Sequence, residues 1–215
     1  PSAEPPLTIL YQDDYLVAVD KPSGMLVHRS FLDKHETRFV LQSLRDQLGC
    51  HVYPVHRLDK VTSGIIVLAR SAEVAADLTA LFSAHQVEKY YLALAQGKPH
   101  KKQGWVKGDM VAARRGSWKL LSSQNNPAVT YFISQGYTDL PFRAFLVKPY
   151  SGKTHQIRVA LKSAGAAIAG DALYQGSAAD RVYLHAYALR FCLHNIEYHY
   201  VQPPTEGVLY QQLLQ

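Results

Sequence analysis

His56-Arg57-Leu58-Asp59-Lys60-Val61, continuing into Thr62-Ser63-Gly64, is the densest cluster of chemically able side chains in this 215-residue chain. It follows Tyr53-Pro54 and runs into Ile65-Ile66-Val67-Leu68-Ala69, an apolar β-rich run that predicts a buried strand. Asp59, flanked one residue away by Lys60 and two residues away by Arg57, lies in a locally positive field on the turn that feeds that strand. Such a field favours the carboxylate form, and an ionised, positioned carboxylate serves as a nucleophile or a base. A turn Asp capped by its neighbours has the same spacing. Spacing alone does not choose between the two.

A second region bears on binding. From Lys98 to Pro127 the chain carries Lys98, Lys101, Lys102, Lys107, Arg114, Arg115 and Lys119 against a single acid, Asp109. Gly104, Gly108, Gly116 and Ser122-Ser123-Gln124-Asn125-Asn126 interrupt it, and both tryptophans, Trp105 and Trp118, lie inside it. A basic, glycine-broken segment with interleaved aromatics suits a mobile arm that tracks phosphates and stacks on bases. The plain alternative is a solvated loop whose lysines face water.

The elements that must position these residues alternate between strand and helix. Leu7 to Asp20 predicts two short strands around the turn Tyr11-Gln12-Asp13-Asp14. Phe39, Val40, Leu44 and Leu48 recur at helical spacing within Thr37 to Leu48, and Gly49 is a stop. Ile65 to Ala69 is a strand, and Ser71 then caps a helix to about Ser83 with Glu73 in its first turn. Val87 to Gly97 is a strand, and Val129–Ser134 with Phe142–Pro149 forms a hairpin. Ile157 to Ala164 is a short helix, and Arg190 to Tyr200 alternates like one strand. There is no repeat, low-complexity linker or composition break. The expectation is a single α+β catalytic domain over 1–215, on a mixed, mostly antiparallel central sheet flanked by helices and loops.

Composition agrees with this. A chain of 215 residues with 47% hydrophobic and 19% charged residues is long enough for one well-buried core. The formal charge of +6 fits a polyanionic partner. Cys50 and Cys192 read as reduced core thiols of a cytoplasmic protein, with neither a disulfide framework nor metal spacing. No apolar stretch approaches the ~18 residues of a membrane-spanning helix.

The motif from His56 to Gly64 resembles the catalytic motif of the RluA-type pseudouridine synthases, and other landmarks follow in that family's order. Leu10 to Gly24, ending in Lys21-Pro22-Ser23-Gly24, resembles its opening strand and Lys-Pro-Xaa-Gly turn. Lys89-Tyr90-Tyr91 resembles its Lys-Xaa-Tyr element, and Gly152-Lys153-Thr154-His155-Gln156-Ile157-Arg158-Val159 its Gly-[Arg/Lys]-Thr-His-Gln-[Ile/Leu]-Arg-Val segment. Gly170-Asp171-Ala172-Leu173-Tyr174 and Leu184-His185-Ala186 match two later landmarks.

The resemblance implies the pseudouridine synthase fold, with an active-site cleft across the sheet. It also implies isomerisation of a uridine in structured RNA, a transfer or ribosomal RNA stem-loop, with no cofactor and no metal. A base buried in folded RNA must be flipped out before it can react. Asp59 is then the essential group, attacking the anomeric carbon or removing a proton from its neighbour. Tyr91 stacks on the flipped base, and Tyr90 points the other way on a strand. Arg158 pairs with Asp59, lowering its pKa and fixing its geometry. Arg57 fills the hole left by the base, His56 positions the loop beside the substrate, and Arg114, Arg115 and Lys119 grip phosphates. His155 is a structural residue that caps its helix or meets RNA. Without the resemblance, Tyr91 reads as a core tyrosine and Arg158 as a surface helix residue.

Ala160 departs from the family, which carries a histidine two residues after Arg158. The chain gives no room for the small basic domain that precedes the catalytic one in several relatives, so no separate N-terminal RNA-binding domain is expected. No membrane or DNA partner is expected, and a monomer is.

Competing classes fit less well. A catalytically inactive RNA-binding relative would have lost Asp59, Tyr91 or Arg158. A hydrolase would need a nucleophile elbow, a metal cluster or a phosphate loop, none of which is present. A kinase reading fails because the Asp is displaced by one residue and no glycine-rich loop precedes it.

Overall fold

The computed structural model describes residues 4–29, 35, 36 and 38–215. In chain order it runs β1 (Thr8–Gln12), β2 (Leu16–Lys21), α1 (Val40–Leu48), β3 (Tyr53–Pro54), β4 (Ser63–Ala69) and α2 (Ala72–Ser83). It continues with β5 (Glu88–Ala95), β6 (Gln103–Gly108), β7 (Met110–Ala112), β8 (Trp118–Leu120), β9 (Ala128–Gly136) and β10 (Arg143–Pro149). The last elements are α3 (Gln156–Ser163), β11 (Leu184–Leu193), β12 (Ile196–Val201) and α4 (Val208–Leu213). The chain divides into two compact units, Pro1–Val87 with Ala188–Pro203, and Glu88–Tyr187 with Pro204–Gln215.

In the first unit β2 lies antiparallel between β1 and β4, with Leu16 opposite Ala69 and Lys21 opposite Gly64. All seven residues of β4 are buried, as its unbroken apolar run requires of a strand covered on both faces. The core gathers Leu16, Ala18, Ile65, Val67, Leu78, Phe191 and Tyr198. The Ser71 hydroxyl accepts from the Val74 amide, so the expected cap of α2 is present. Gly49 ends α1 at φ 68°, its amide donating to the Arg45 carbonyl, a left-handed stop suited to glycine. The helix expected from Thr37 begins at Val40, and Thr37 itself lies outside the described residues.

The expected single strand from Arg190 to Tyr200 is two strands. The end of β11 pairs antiparallel with β12, from Ala188 opposite Val201 to Leu193 opposite Ile196. His194 and Asn195 make the turn at φ 51° and 62°. Two consecutive left-handed residues reverse a hairpin in register with strand twist, and alternation across so short a turn looks continuous in sequence. Both cysteines are exposed rather than in a core. Cys192 occupies the outward position between Phe191 and Leu193 on β11, so its apolar neighbours misrepresent its environment.

In the second unit β10 lies between β5 and β9, and β9 also pairs with β6, every pairing antiparallel. Ile157 and Leu161 of α3 join Leu94, Phe132, Phe145, Val147, Ile168, Tyr183 and Tyr210 in its core. Tyr210 on α4 is fully buried, and its hydroxyl donates to the Leu92 carbonyl at 2.8 Å. Burial pushes that phenol well above its usual pKa. The basic stretch 98–127 is not a loop. Gln103 to Gly108 forms β6 in register with β9, and β7 pairs with β8 to carry Arg114 and Arg115 at a hairpin tip. Gly104 and Gly108 sit inside β6, and Gly116 lies in the turn between β7 and β8.

Candidate active site

The loop bearing Asp59 is held from beneath by Lys21. That side chain is fully buried at the end of β2, and its Nζ donates to the carbonyls of Pro22 (2.9 Å), Met25 (2.7 Å) and Lys60 (3.1 Å). The Gly24 amide donates to the same Lys60 carbonyl at 2.7 Å, and the Ser23 hydroxyl donates to the Val61 carbonyl at 2.8 Å. The Lys-Pro-Ser-Gly turn is thus a clamp on the two residues after Asp59. The Thr62 amide closes the loop by donating to the Asp59 carbonyl at 3.0 Å. Leu58 within the loop is buried, and Lys60 forms an ion pair with Glu36. Asp59 itself is half-buried and Arg57 is exposed.

His56 accepts from the Val67 amide through Nε2 at 2.9 Å. Its ring stacks on Phe82, with centroids 4.3 Å apart and planes at 13°. Strand β3 stops pairing with β4 at Pro54, opposite Leu68, so the imidazole takes over an amide that a longer strand would have satisfied. An Nε2 that accepts is unprotonated there, which suits a residue that sets the loop's course.

The second unit carries Tyr91 and Arg158. Tyr91 stands on β5 opposite Val147 of β10, half-buried and packed on the core, while Tyr90 faces away beneath Lys148, whose Nζ is 5.2 Å from its ring centre. Burial pushes the Lys89 ammonium below its ordinary pKa, and its Nζ lies 3.4 Å from the Ser151 carbonyl.

The segment leading to Arg158 is fixed by Gln156. Its Oε1 accepts from the Ser151 hydroxyl (2.8 Å) and the Lys153 amide (3.0 Å). Its Nε2 donates to the Val129 carbonyl and the Thr130 hydroxyl, both at 3.0 Å. Of these four bonds from one buried amide, two pin the start of α3 to β9 and two hold the preceding turn. Arg158 follows half a turn later, 6% exposed, which excludes the surface alternative. Its Nε and Nη2 donate to the Asp171 carboxylate at 2.8 and 2.9 Å, and Asp171 is 1% exposed. A two-point fork of this kind fixes the plane of the guanidinium as well as its position. Ala160 is buried in the same helix.

Below that plane lies Tyr174, its ring centre 5.1 Å from the Arg158 Cζ. The Tyr174 hydroxyl accepts from the Trp118 amide at 2.9 Å and lies 2.6 Å from His155 Nδ1. His155 therefore occupies the N-cap position of α3, at φ 57°, without capping it through its side chain. Tyr174 ties the tip end of the β7–β8 hairpin, at the Ala112–Trp118 pair, to the arginine. Arg114, Arg115 and Lys119 on that hairpin are all exposed.

Asp171, Tyr174, Gln156 and Lys21 all lay inside motifs legible in the sequence, but nothing in their spacing assigned them partners. Gly170 is a partial signal. At φ 81°, with a hypothetical Cβ only 1.8 Å from the Arg181 carbonyl oxygen, it must be glycine, so the chain reaches Asp171 by one route. Among the described residues no group of histidine, cysteine, aspartate or glutamate could hold a metal ion, and no helix is long and apolar enough to cross a membrane.

Comparison with known proteins matches this arrangement. The family described as RNA pseudouridylate synthase covers residues 15–163. A Haemophilus influenzae protein named "Uncharacterized RNA pseudouridine synthase" is 45% identical over 187 residues, covering 86% of this chain and 82% of its own. The tRNA pseudouridine synthase C of Pasteurella multocida is 40% identical over 222 residues, covering 93% and 88%. That of Vibrio cholerae is 36% identical over 223 residues, covering 94% and 88%. Human RNA Pseudouridylate Synthase Domain Containing 1 superposes with a TM-score of 0.78 at 24% identity, covering 95% of this chain and 86% of its own, a likeness of fold. Human RNA Pseudouridylate Synthase Domain Containing 4 superposes at 0.70 with 26% identity, covering 96% and 91%. The chain belongs to the RNA pseudouridine synthase family, of the RluA type, and is an RNA uridine isomerase.

Proposed function

We propose that this enzyme converts one uridine of a transfer RNA stem-loop to pseudouridine in the cytoplasm, working as a single catalytic domain and as a monomer. The observation that carries the assignment is the intact Asp59 loop, clamped by Lys21 and Gly24 at the Lys60 carbonyl. The relatives from Pasteurella and Vibrio, named as tRNA enzymes, favour transfer RNA over ribosomal RNA.

In this reading Asp59, Tyr91 and Arg158 are the residues that carry the chemistry. Arg57, exposed beside Asp59, occupies the place of the flipped base. The Asp59 carboxylate attacks the ribose anomeric carbon or takes the proton from its neighbour, and the bond from that carbon to N1 breaks. The uracil turns while held against the Tyr91 ring, and its carbon 5 bonds to the anomeric carbon as the Asp59 carboxylate leaves it or, on the other route, returns the proton to the neighbouring carbon. The proton on carbon 5 leaves and N1 ends protonated, so atoms and charge balance without redox or hydrolysis. Arg158, its plane set by the two-point fork from Asp171, is the basic residue that orients the reacting groups. The hairpin residues Arg114, Arg115 and Lys119, within a basic insertion over 98–127, grip the phosphates.

Retention of Asp59, Tyr91 and Arg158 disfavours a catalytically inactive RNA-binding relative. Release of tritium from carbon-5-labelled uridine in transfer RNA tests the assignment. Release from transfer RNA with none from ribosomal RNA is the expected result. Release only from ribosomal RNA would reassign the substrate, and none from either would overturn the activity.

A further inference from the structure

The sheet of the second unit has two unlike faces. Phe132 on β9 and Val147 on β10 point into the core and are 3% and 0% exposed. Their neighbours Tyr131 and Lys148 therefore point the opposite way. Trp105 on β6 stands directly across from Tyr131, and Tyr131 directly across from Lys148. Tyr90 on β5 lies beneath Lys148 and completes a row across four strands.

Tyr150 widens that row. Its ring centre lies 5.2 Å from Trp105, which in turn lies 4.9 Å from Tyr131. Two ammonium groups sit over these rings: Lys107 4.9 Å above Trp105, and Lys148 5.0 Å from Tyr150. Glu88 lies 3.4 Å from Lys148 Nζ at one end of the row. Trp105 and Tyr150 remain open to solvent, 53% and 42% exposed, while Tyr131 and Tyr90 are half-buried.

We propose that this row is a binding site for unpaired nucleotides of the RNA substrate, separate from the site that holds the reacting uridine. It rests on the RNA-modifying activity proposed above. Aromatic rings whose faces are open accept stacked bases of any sequence, and ammonium groups beside them neutralise the phosphates between those bases. Ile133 and Leu146 share this face, 43% and 38% exposed, but the ammonium groups over the rings give it the charge of a surface for a polyanion rather than for another protein. The row stands on the face opposite Tyr91, and β6, which pairs on the sheet with β9, carries both Trp105 and Lys107. RNA that reaches it does so with a strand outside the stem-loop presented for chemistry.

The test uses the full chain in a Trp118→Phe background, where Trp105 is the only tryptophan. A single-stranded oligouridine of about eight nucleotides is titrated while tryptophan emission is followed. Quenching that saturates is expected, with affinity falling about tenfold in Tyr131→Ala or Tyr150→Ala, as loss of one stacked base requires. Lys107→Ala and Lys148→Ala should each lower the logarithmic salt slope by roughly 0.7. Because a variant may unfold, 4-thiouridine in the same oligonucleotide is also photocrosslinked to the protein with its native aromatic row, and the crosslinked peptides should contain Trp105, Tyr131 or Tyr150. No quenching and no crosslink in this row would overturn the site, while tritium release from intact transfer RNA reports separately on the activity. Self-association at micromolar concentration that Tyr131→Ala abolishes would overturn it in favour of a contact between copies of this chain.

Discussion

Replacing Lys21 by Met is the most informative change outside the reacting groups. The thioether fills similar volume but offers no donor, so the carbonyls of Pro22, Met25 and Lys60 each lose a charge-assisted partner. A buried carbonyl left unsatisfied costs about 1–3 kcal/mol. The Lys60 carbonyl keeps the Gly24 amide, so two such losses would cost about 2–6 kcal/mol, and relief from burying a charge offsets part of this. A net destabilisation of about 3 kcal/mol is expected, a large part of the 5–15 kcal/mol available to a typical domain. The loop bearing Asp59 would also lose one of two donors to the Lys60 carbonyl, keeping only the Gly24 amide. A displacement of about 1 Å at a reacting group costs roughly a hundredfold in rate. Urea unfolding and single-turnover tritium release at saturating enzyme measure the two effects separately. A variant within 0.5 kcal/mol of wild-type stability and within about threefold of its rate would refute the clamp.

Tyr174→Phe keeps the ring under Arg158 but removes the acceptor for the Trp118 amide; it should weaken RNA binding, and combining it with Arg114→Ala/Arg115→Ala/Lys119→Ala should give a non-additive loss in single-turnover rate. Strict additivity would show that the hairpin and Arg158 are independent. The triple hairpin variant alone should flatten the salt dependence of RNA affinity by roughly 0.7–0.9 units of logarithmic slope per lost contact, and an unchanged slope would make the hairpin an ordinary solvated surface. Burial works toward protonating Asp13, but donation from the Tyr198 hydroxyl, the Leu16 and Tyr15 amides and the Tyr11 hydroxyl outweighs it and holds the carboxyl below its usual pKa. A lowered folded pKa adds stability above the unfolded value of about 3.9 and loses it as pH falls through the folded value. Asp13→Asn should therefore be less stable than wild type at pH 7, with a gap in urea midpoint that narrows below about pH 4; a constant gap would contradict the reasoning.

What the sequence discloses follows from how local its causes are. β4 is readable because seven consecutive residues are buried, and α2 because Ser71 and the apolar spacing lie within one short window. The loop of Asp59 is readable as chemistry because its motif is contiguous. Its support is not, since Lys21 reaches Lys60 across 39 positions and Tyr174 reaches Trp118 across 56. The partner of the Arg158 Nε–Nη2 edge was equally hidden: Asp171 is 13 positions on and fully buried, beyond the turn forced by Gly170. The basic stretch 98–127 looked irregular because glycine counts against strands locally, whereas β6 is stabilised by its register with β9. His194-Asn195 escaped notice because neither residue is the usual Gly of a tight hairpin.

The central claim is that the Asp59 carboxylate performs the isomerisation on a fold that survives without it. Asp59→Asn is nearly isosteric and removes only the charge and the reacting oxygen. The direct measurement is single-turnover tritium release from carbon-5-labelled transfer RNA by this variant, alongside its thermal unfolding and RNA affinity. The account predicts no detectable turnover with unfolding and affinity close to wild type. Turnover above about one per cent of wild type, a barrier increase of less than about 2.7 kcal/mol, would contradict it.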